Sequence, residues 1–68
     1  MRSTVATGTG FVVVDSRWTL DHGYETMVFA SDHRGYIRDY TDIDVAWYNT
    51  AEEMEKGHEE MIKKWRCR

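Results

Sequence analysis

His58, His22, His33 and Cys67 are the residues able to ligate a soft metal, and the histidines are those able to move a proton near neutral pH. His58 is the foremost of them, because it sits beside Gly57 on an apolar helical stripe, where a general base or a metal ligand would be shielded from water. Catalysis also needs an oriented partner, and the spacing supplies none; a histidine packed at a sheet–helix boundary, bonded to a backbone carbonyl or a tyrosine, explains the position more simply. No two of the four residues stand two to four apart, as the paired ligands of a zinc site do. Cys67 lies between Arg66 and Arg68 in a segment expected to fray, without a base or a shaped pocket. Asp39, Asp42 and Asp44 form an acidic run, but the central glycine and terminal glutamate of a calcium loop are missing. No nucleophile elbow, phosphate loop or dinucleotide fingerprint is present. The expectation is a chain with no catalytic residues, no metal and no cofactor.

The aromatic residues are the surplus that calls for an explanation. Phe11, Trp18, Tyr24, Phe29, Tyr36, Tyr40, Trp47, Tyr48 and Trp65 are too many for one helix to cover. Strand alternation sets Tyr36, Arg38 and Tyr40 on one side and Ile37 on the other. With Ile37 facing the helix, those three would occupy an open face beside Trp18 and Tyr24. Tyr, Trp and Arg dominate binding hot spots, so this group is a candidate partner surface. Asp39, Asp42 and Asp44 would give it an acidic edge. Cross-strand aromatic pairing that stiffens a thin sheet competes with this reading on nearly equal terms.

These side chains must be positioned by few elements. Met1–Gly10 is rich in Ser, Thr and Gly and is expected to be a flexible arm, with residues 11–68 forming one small domain. Phe11–Trp18, Tyr24–Ala30 and Tyr36–Tyr40 read as strands, separated by turns at Thr19–Gly23 and Ser31–Gly35. Ile43, Val45 and Trp47 alternate with polar or small residues and fit a short fourth strand.

The clearest signal is C-terminal. Thr50 and Glu53 make a capping box, and Ala51, Met54, His58, Met61, Ile62 and Trp65 then recur at helical spacing. Glu52–Lys56, Glu59–Lys63 and Glu60–Lys64 are favourably ordered pairs four residues apart. Gly57 in the middle suggests close approach to a sheet. The expected fold is α+β, a three- to four-stranded antiparallel sheet with one C-terminal helix on one face, in the order β-β-β-(β)-α. Val12, Val14, Met27, Phe29, Ile37, Val45 and Trp47 are the candidate sheet partners of the helix.

Composition narrows the function classes. At 68 residues the chain is one domain, small enough that a partner or self-association would help cover its apolar surface. The longest apolar run, Phe11–Val14, is too short to cross a membrane, and no apolar segment after Arg2 suggests a secretory signal. A single cysteine suits the reducing cytoplasm. The net charge is −3, with four Arg against seven acids in residues 1–50, which disfavours nucleic acid.

The segments Tyr24-Glu25-Thr26-Met27-Val28-Phe29, Asp44-Val45-Ala46-Trp47-Tyr48, Thr50-Ala51-Glu52-Glu53, Gly57-His58 and Met61 through Lys64-Trp65 occur in that order. In this the chain resembles short uncharacterised proteins of tailed bacteriophages and prophages, over about residues 11–65. The resemblance implies a phage setting and a product in the host cytoplasm, and supplies no activity. The functional expectation is a non-enzymatic protein-binding module that occupies the surface of a host or defence protein. The alternative is a small homodimeric structural or assembly protein.

Overall fold

A computed structural model describes residues 1–68. Four strands form one antiparallel meander: β1 (Arg2–Thr7), β2 (Gly10–Thr19), β3 (Gly23–Ser31) and β4 (Asp44–Tyr48), in the spatial order β1-β2-β3-β4. Helix α1 (Ala51–Arg66) returns across one face and touches all four strands. The architecture is the expected α+β sheet-plus-helix, with two changes in which residues build the sheet.

The first change is at the N-terminus. Met1–Gly10 is not a flexible arm, because Arg2–Thr7 pairs along its whole length with Gly10–Asp15. Its threonines are good strand formers, and only Val5 carries an apolar side chain into the core. The second change is at Tyr36–Tyr40, which is not a strand. Ile37 makes a single bridge to Ser31, Arg38 N–H donates to Ala30 O, and the chain then loops out until Ile43 N–H meets Val28 O. Val45 and Trp47 continue from there as β4, taking the place beside β3 that a third hairpin strand would need.

Within residues 32–43, Gly35, Ile37 and Tyr40 form a roof on the sheet face opposite the helix, while Arg38 and Ile43 line a cavity at the sheet edge with Val12, Ala30 and Trp65 on the helix side. Asp32 starts the segment by accepting from the backbone N–H groups of Arg34 (2.8 Å) and Tyr36 (3.1 Å). Gly35, at φ 85°, lies against Thr4 of β1, where a Cβ would collide with the threonine hydroxyl. The Tyr40 ring rests 5.8 Å from that of Phe29. Beneath this cover Val13, which points away from the helix, is fully buried.

On the helix face the parity of β3 and β4 is opposite to the sequence expectation. Val12 and Val14 do meet the helix, but in β3 the inward residues are Thr26 and Val28, and in β4 they are Ala46 and Tyr48. Met27, Phe29, Val45 and Trp47 point the other way, and Ile37 belongs to the roof. The run Met27-Val28-Phe29 is apolar on both faces, so alternation alone leaves its direction open. The core itself is small, built from Val5, Val12, Val14, Val28, Met61 and Ile62, with Ala46 and Trp65 packed beside it.

The N-cap half of the capping box forms, with Thr50 Oγ1 accepting from Glu53 N–H at 3.1 Å, while the Glu53 carboxylate accepts from the Thr50 hydroxyl at 3.2 Å in place of the backbone N–H. His58, Met61 and Ile62 are the buried residues of the helix, whereas Ala51 remains exposed in the first turn. Gly57 faces the Tyr48 ring so closely that a Cβ would overlap it. An exposed helical Gly→Ala change gains about 1 kcal/mol. Here the sign should invert, with Gly57→Ala losing about 1–3 kcal/mol in urea denaturation because the Tyr48 ring must leave its place. In a Tyr48→Ala background the same change should instead gain about 1 kcal/mol. A gain in the wild-type background would show that the contact does not constrain the helix.

Candidate functional site

Alternation along β2 and β3 sends Asp15, Arg17, Glu25, Met27 and Phe29 to the face away from the helix. The register sets Asp15 opposite Met27 and Arg17 opposite Glu25, while β1 places Arg2 opposite Asp15. With Ile37 and Tyr40 of the roof on one side and Thr19 near the hairpin end, these residues line a groove of about 240 Å³. It is the part of this face that the roof leaves open.

Charge inside the groove is layered. Both carboxylates are deep, with Asp15 at 7% exposure and Glu25 at 5%. Both guanidiniums sit at the rim, their side chains 50% (Arg2) and 56% (Arg17) exposed. Asp15 Oδ2 accepts from Arg2 at 3.0 Å and also from Arg17, so two cations converge on one carboxylate. Glu25 has no ionic partner. Its Oε2 accepts a long 3.3 Å bond from the Trp47 indole, and its Oε1 accepts none.

The residues singled out from sequence are spread more widely than one face. Tyr36 (66% exposed), Arg38 and Tyr40 (75% exposed) stand out from residues 32–43. The Arg34 guanidinium lies over the Tyr36 ring at 5.9 Å. Asp39 and Asp42 are exposed on the same segment, with Asp39 accepting from Thr41 N–H. Trp18 and Tyr24 do not join them. They lie two residues beyond Ser16 and Thr26, on the helix side of the sheet, with Trp18 57% exposed. Asp44 is occupied within the chain: Oδ2 accepts from Lys64 Nζ at 2.7 Å and from the Trp65 indole at 2.9 Å, clamping β4 to the last turns of α1.

His58 is 1% exposed. Its Nδ1 bonds Ser16 Oγ at 2.6 Å and its Nε2 bonds Ser3 Oγ at 3.0 Å, while Ser16 Oγ continues to Thr26 Oγ1 at 2.5 Å. The partners are serines, where a backbone carbonyl or a tyrosine was expected. His22 and His33 lie apart, beside Trp47 and Phe11 respectively. No three His, Cys, Asp or Glu side chains come together as metal ligands would, and no helix is long and apolar enough to cross a membrane.

Sequence reasoning missed the groove. The available signal was the pair Asp15 and Arg17, charged residues continuing the alternation of Val13 within a β-branched run. Glu25 two residues before Met27 repeats the pattern. Charges inside a strand's apolar register mark a face that is not simply core. No protein-family model, curated protein or solved structure matches the chain.

Burial of Asp44 acts to raise its pKa, but the bonds from Lys64, Trp65 and Val45 N–H outweigh it and hold the carboxyl below the ordinary 3.8. The folded chain then binds fewer protons than the unfolded one in that range. Stability from this clamp is present above the unfolded value and is lost as pH falls through the folded one. Asp44→Asn should cost about 1 kcal/mol at neutral pH. It should also flatten the acid limb of an unfolding-midpoint-versus-pH curve; an unchanged limb would mean the clamp contributes nothing.

Proposed function

We propose that the chain is a non-enzymatic protein-binding module whose contact surface is the segment of residues 32–43. The observation that carries this is the exposure of Tyr36, Arg38 and Tyr40 on a segment fixed by internal bonds. Asp32, the Ile37 bridge, Arg38 N–H and Ile43 N–H tie the backbone down. Two large aromatic rings are nonetheless left in water. Ordered loops that present Tyr and Arg lose little entropy on binding, and these residue types are enriched at hot spots. Exposed Asp39 and Asp42, with a net charge of −3, favour a basic partner surface. The two nitrogens of His58 are already engaged by Ser3 and Ser16, and the ring lines none of the three surface cavities, which supports a non-enzymatic reading.

On the resemblance given above, the setting is a tailed phage or prophage and the partner a host or defence protein in the host cytoplasm. The second reading, a homodimer, is favoured by the unpaired outer edges of β1 and β4 and by Trp47, 59% exposed on β4. Sedimentation equilibrium separates the two, because a chain that stays monomeric at high concentration removes the dimer. The direct test is affinity capture from host lysate by the wild type and by Tyr36→Ala/Tyr40→Ala, with circular dichroism to confirm folding. A stoichiometric partner that falls at least about tenfold with the variant is the expected outcome. Equal recovery by both proteins, or nothing above background, contradicts it.

A further inference from the structure

We propose that the groove under the roof receives one cationic side chain, lysine or arginine, from the protein partner, with Glu25 as its counter-ion. The inference rests on the protein-binding reading and adds the chemistry of the contact. Glu25 is the deepest charge in the groove and lacks an ionic partner, while Oε1 accepts no hydrogen bond. Oε1 keeps some contact with solvent, since no fully buried side-chain oxygen lacks a partner, and a cation reaching it would exchange that water for an ion pair. Arg17 lies directly across the strand pair from Glu25, yet its guanidinium is turned to Asp15, which Arg2 also bonds.

Charge placement selects a cation over an anion. The two guanidiniums are already neutralised in part by Asp15 and are half in solvent, where screening weakens them. The groove as a whole is balanced, two guanidiniums against two carboxylates, and the one carboxylate without an ion pair of its own is Glu25. Size selects a side chain over a larger ligand, since about 240 Å³ lies below the usual range for small-molecule pockets. Met27 offers an apolar wall for the methylene stem, and the exposed Tyr40 ring at the mouth can accept the cation on its face.

The test is a titration of ¹⁵N-labelled protein with N-acetyl-arginine amide, read at the Trp47 indole N–H, which reports on Glu25 through their hydrogen bond. The expected result is a saturable shift in the millimolar range that is at least about tenfold weaker in Glu25→Gln. The neutral N-acetyl-norleucine amide, run on wild-type protein, should leave that signal in place and needs no variant to fold. An absent or non-saturating shift overturns the inference, as does an equal response to the norleucine amide or an undiminished one in Glu25→Gln. If the roof substitutions abolish partner capture while the arginine amide fails to bind, the groove assignment falls and the module reading stands.

Discussion

The structure turns on a buried imidazole. His58 is the largest fully buried side chain, and both of its nitrogens are engaged by hydroxyls from the sheet, Ser3 on β1 and Ser16 on β2, with Thr26 on β3 joined through Ser16. Burial favours the neutral ring, in which one nitrogen donates and the other accepts, and the serine hydroxyls can take either role. Burial lowers its pKa; the charges of Glu59 and Asp15 pull the other way, and the Met1 amino group acts with burial. The network has a consequence for parity. A one-residue slip of β1 or β2 would carry its serine to the other face and leave an imidazole nitrogen unsatisfied, at a cost of about 1–3 kcal/mol per lost partner, and a slip of β3 would take Thr26 from Ser16. Valines alone would not enforce this, because Val12, Val13 and Val14 offer an apolar side chain to either face. By holding Ser16 and Thr26 inward, His58 sends Asp15, Arg17 and Glu25 outward, and so creates the charged groove on the far side.

The far side is only partly open. Residues 32–40 cover Val13 and Phe29 and leave the charged end of β2 and β3 uncovered. The cover begins at Asp32, whose pKa lies below the ordinary 3.8. Desolvation acts to raise it, but the N–H bonds of Tyr36 and Arg34, with the charges of nearby His33 and Arg34, together outweigh that. The turn is thereby pinned by a charged acceptor on two backbone donors, the stronger kind of hydrogen bond. An exposed loop held this way is a stage for side chains, and it carries Tyr36, Arg38 and Tyr40.

Much of the fold was legible in the sequence. Thr50, Glu53 and the stripe through Trp65 specify the helix, because capping and periodicity are local properties. Gly57 announced a close approach, although its partner Tyr48 had to be seen. The two central strands are similarly local. β1 was illegible because its stabilisation is distant: Ser3 bonds a histidine 55 residues away, and Thr4 supports Gly35. Tyr36–Tyr40 misled for the opposite reason, since its alternation is real but β4 competes for the same edge of β3. That competition left Tyr36 and Tyr40 on the connecting segment, while the inward parity of Ser16 and Thr26 put Trp18 and Tyr24 on the helix side. Asp44 likewise looked like a free acid until the fold brought Lys64 and Trp65 to it. Glu25 and Asp15 gained their meaning only when register set Arg17 across from Glu25 and Arg2 across from Asp15.

The parity set by His58 is tested most directly by following its ring through a pH titration with ¹⁵N nuclear magnetic resonance, alongside the unfolding midpoint. With the folded pKa lowered, the unfolded chain binds more protons between the two values. Stability should therefore be complete above the unfolded value and decline as pH falls through the folded one. The expected result is a single neutral tautomer at neutral pH, protonating below the ordinary 6.5 with a matching loss of midpoint. A ring that titrates at or above 6.5, with a midpoint indifferent to it, would contradict a buried, neutral His58 as the constraint on the sheet.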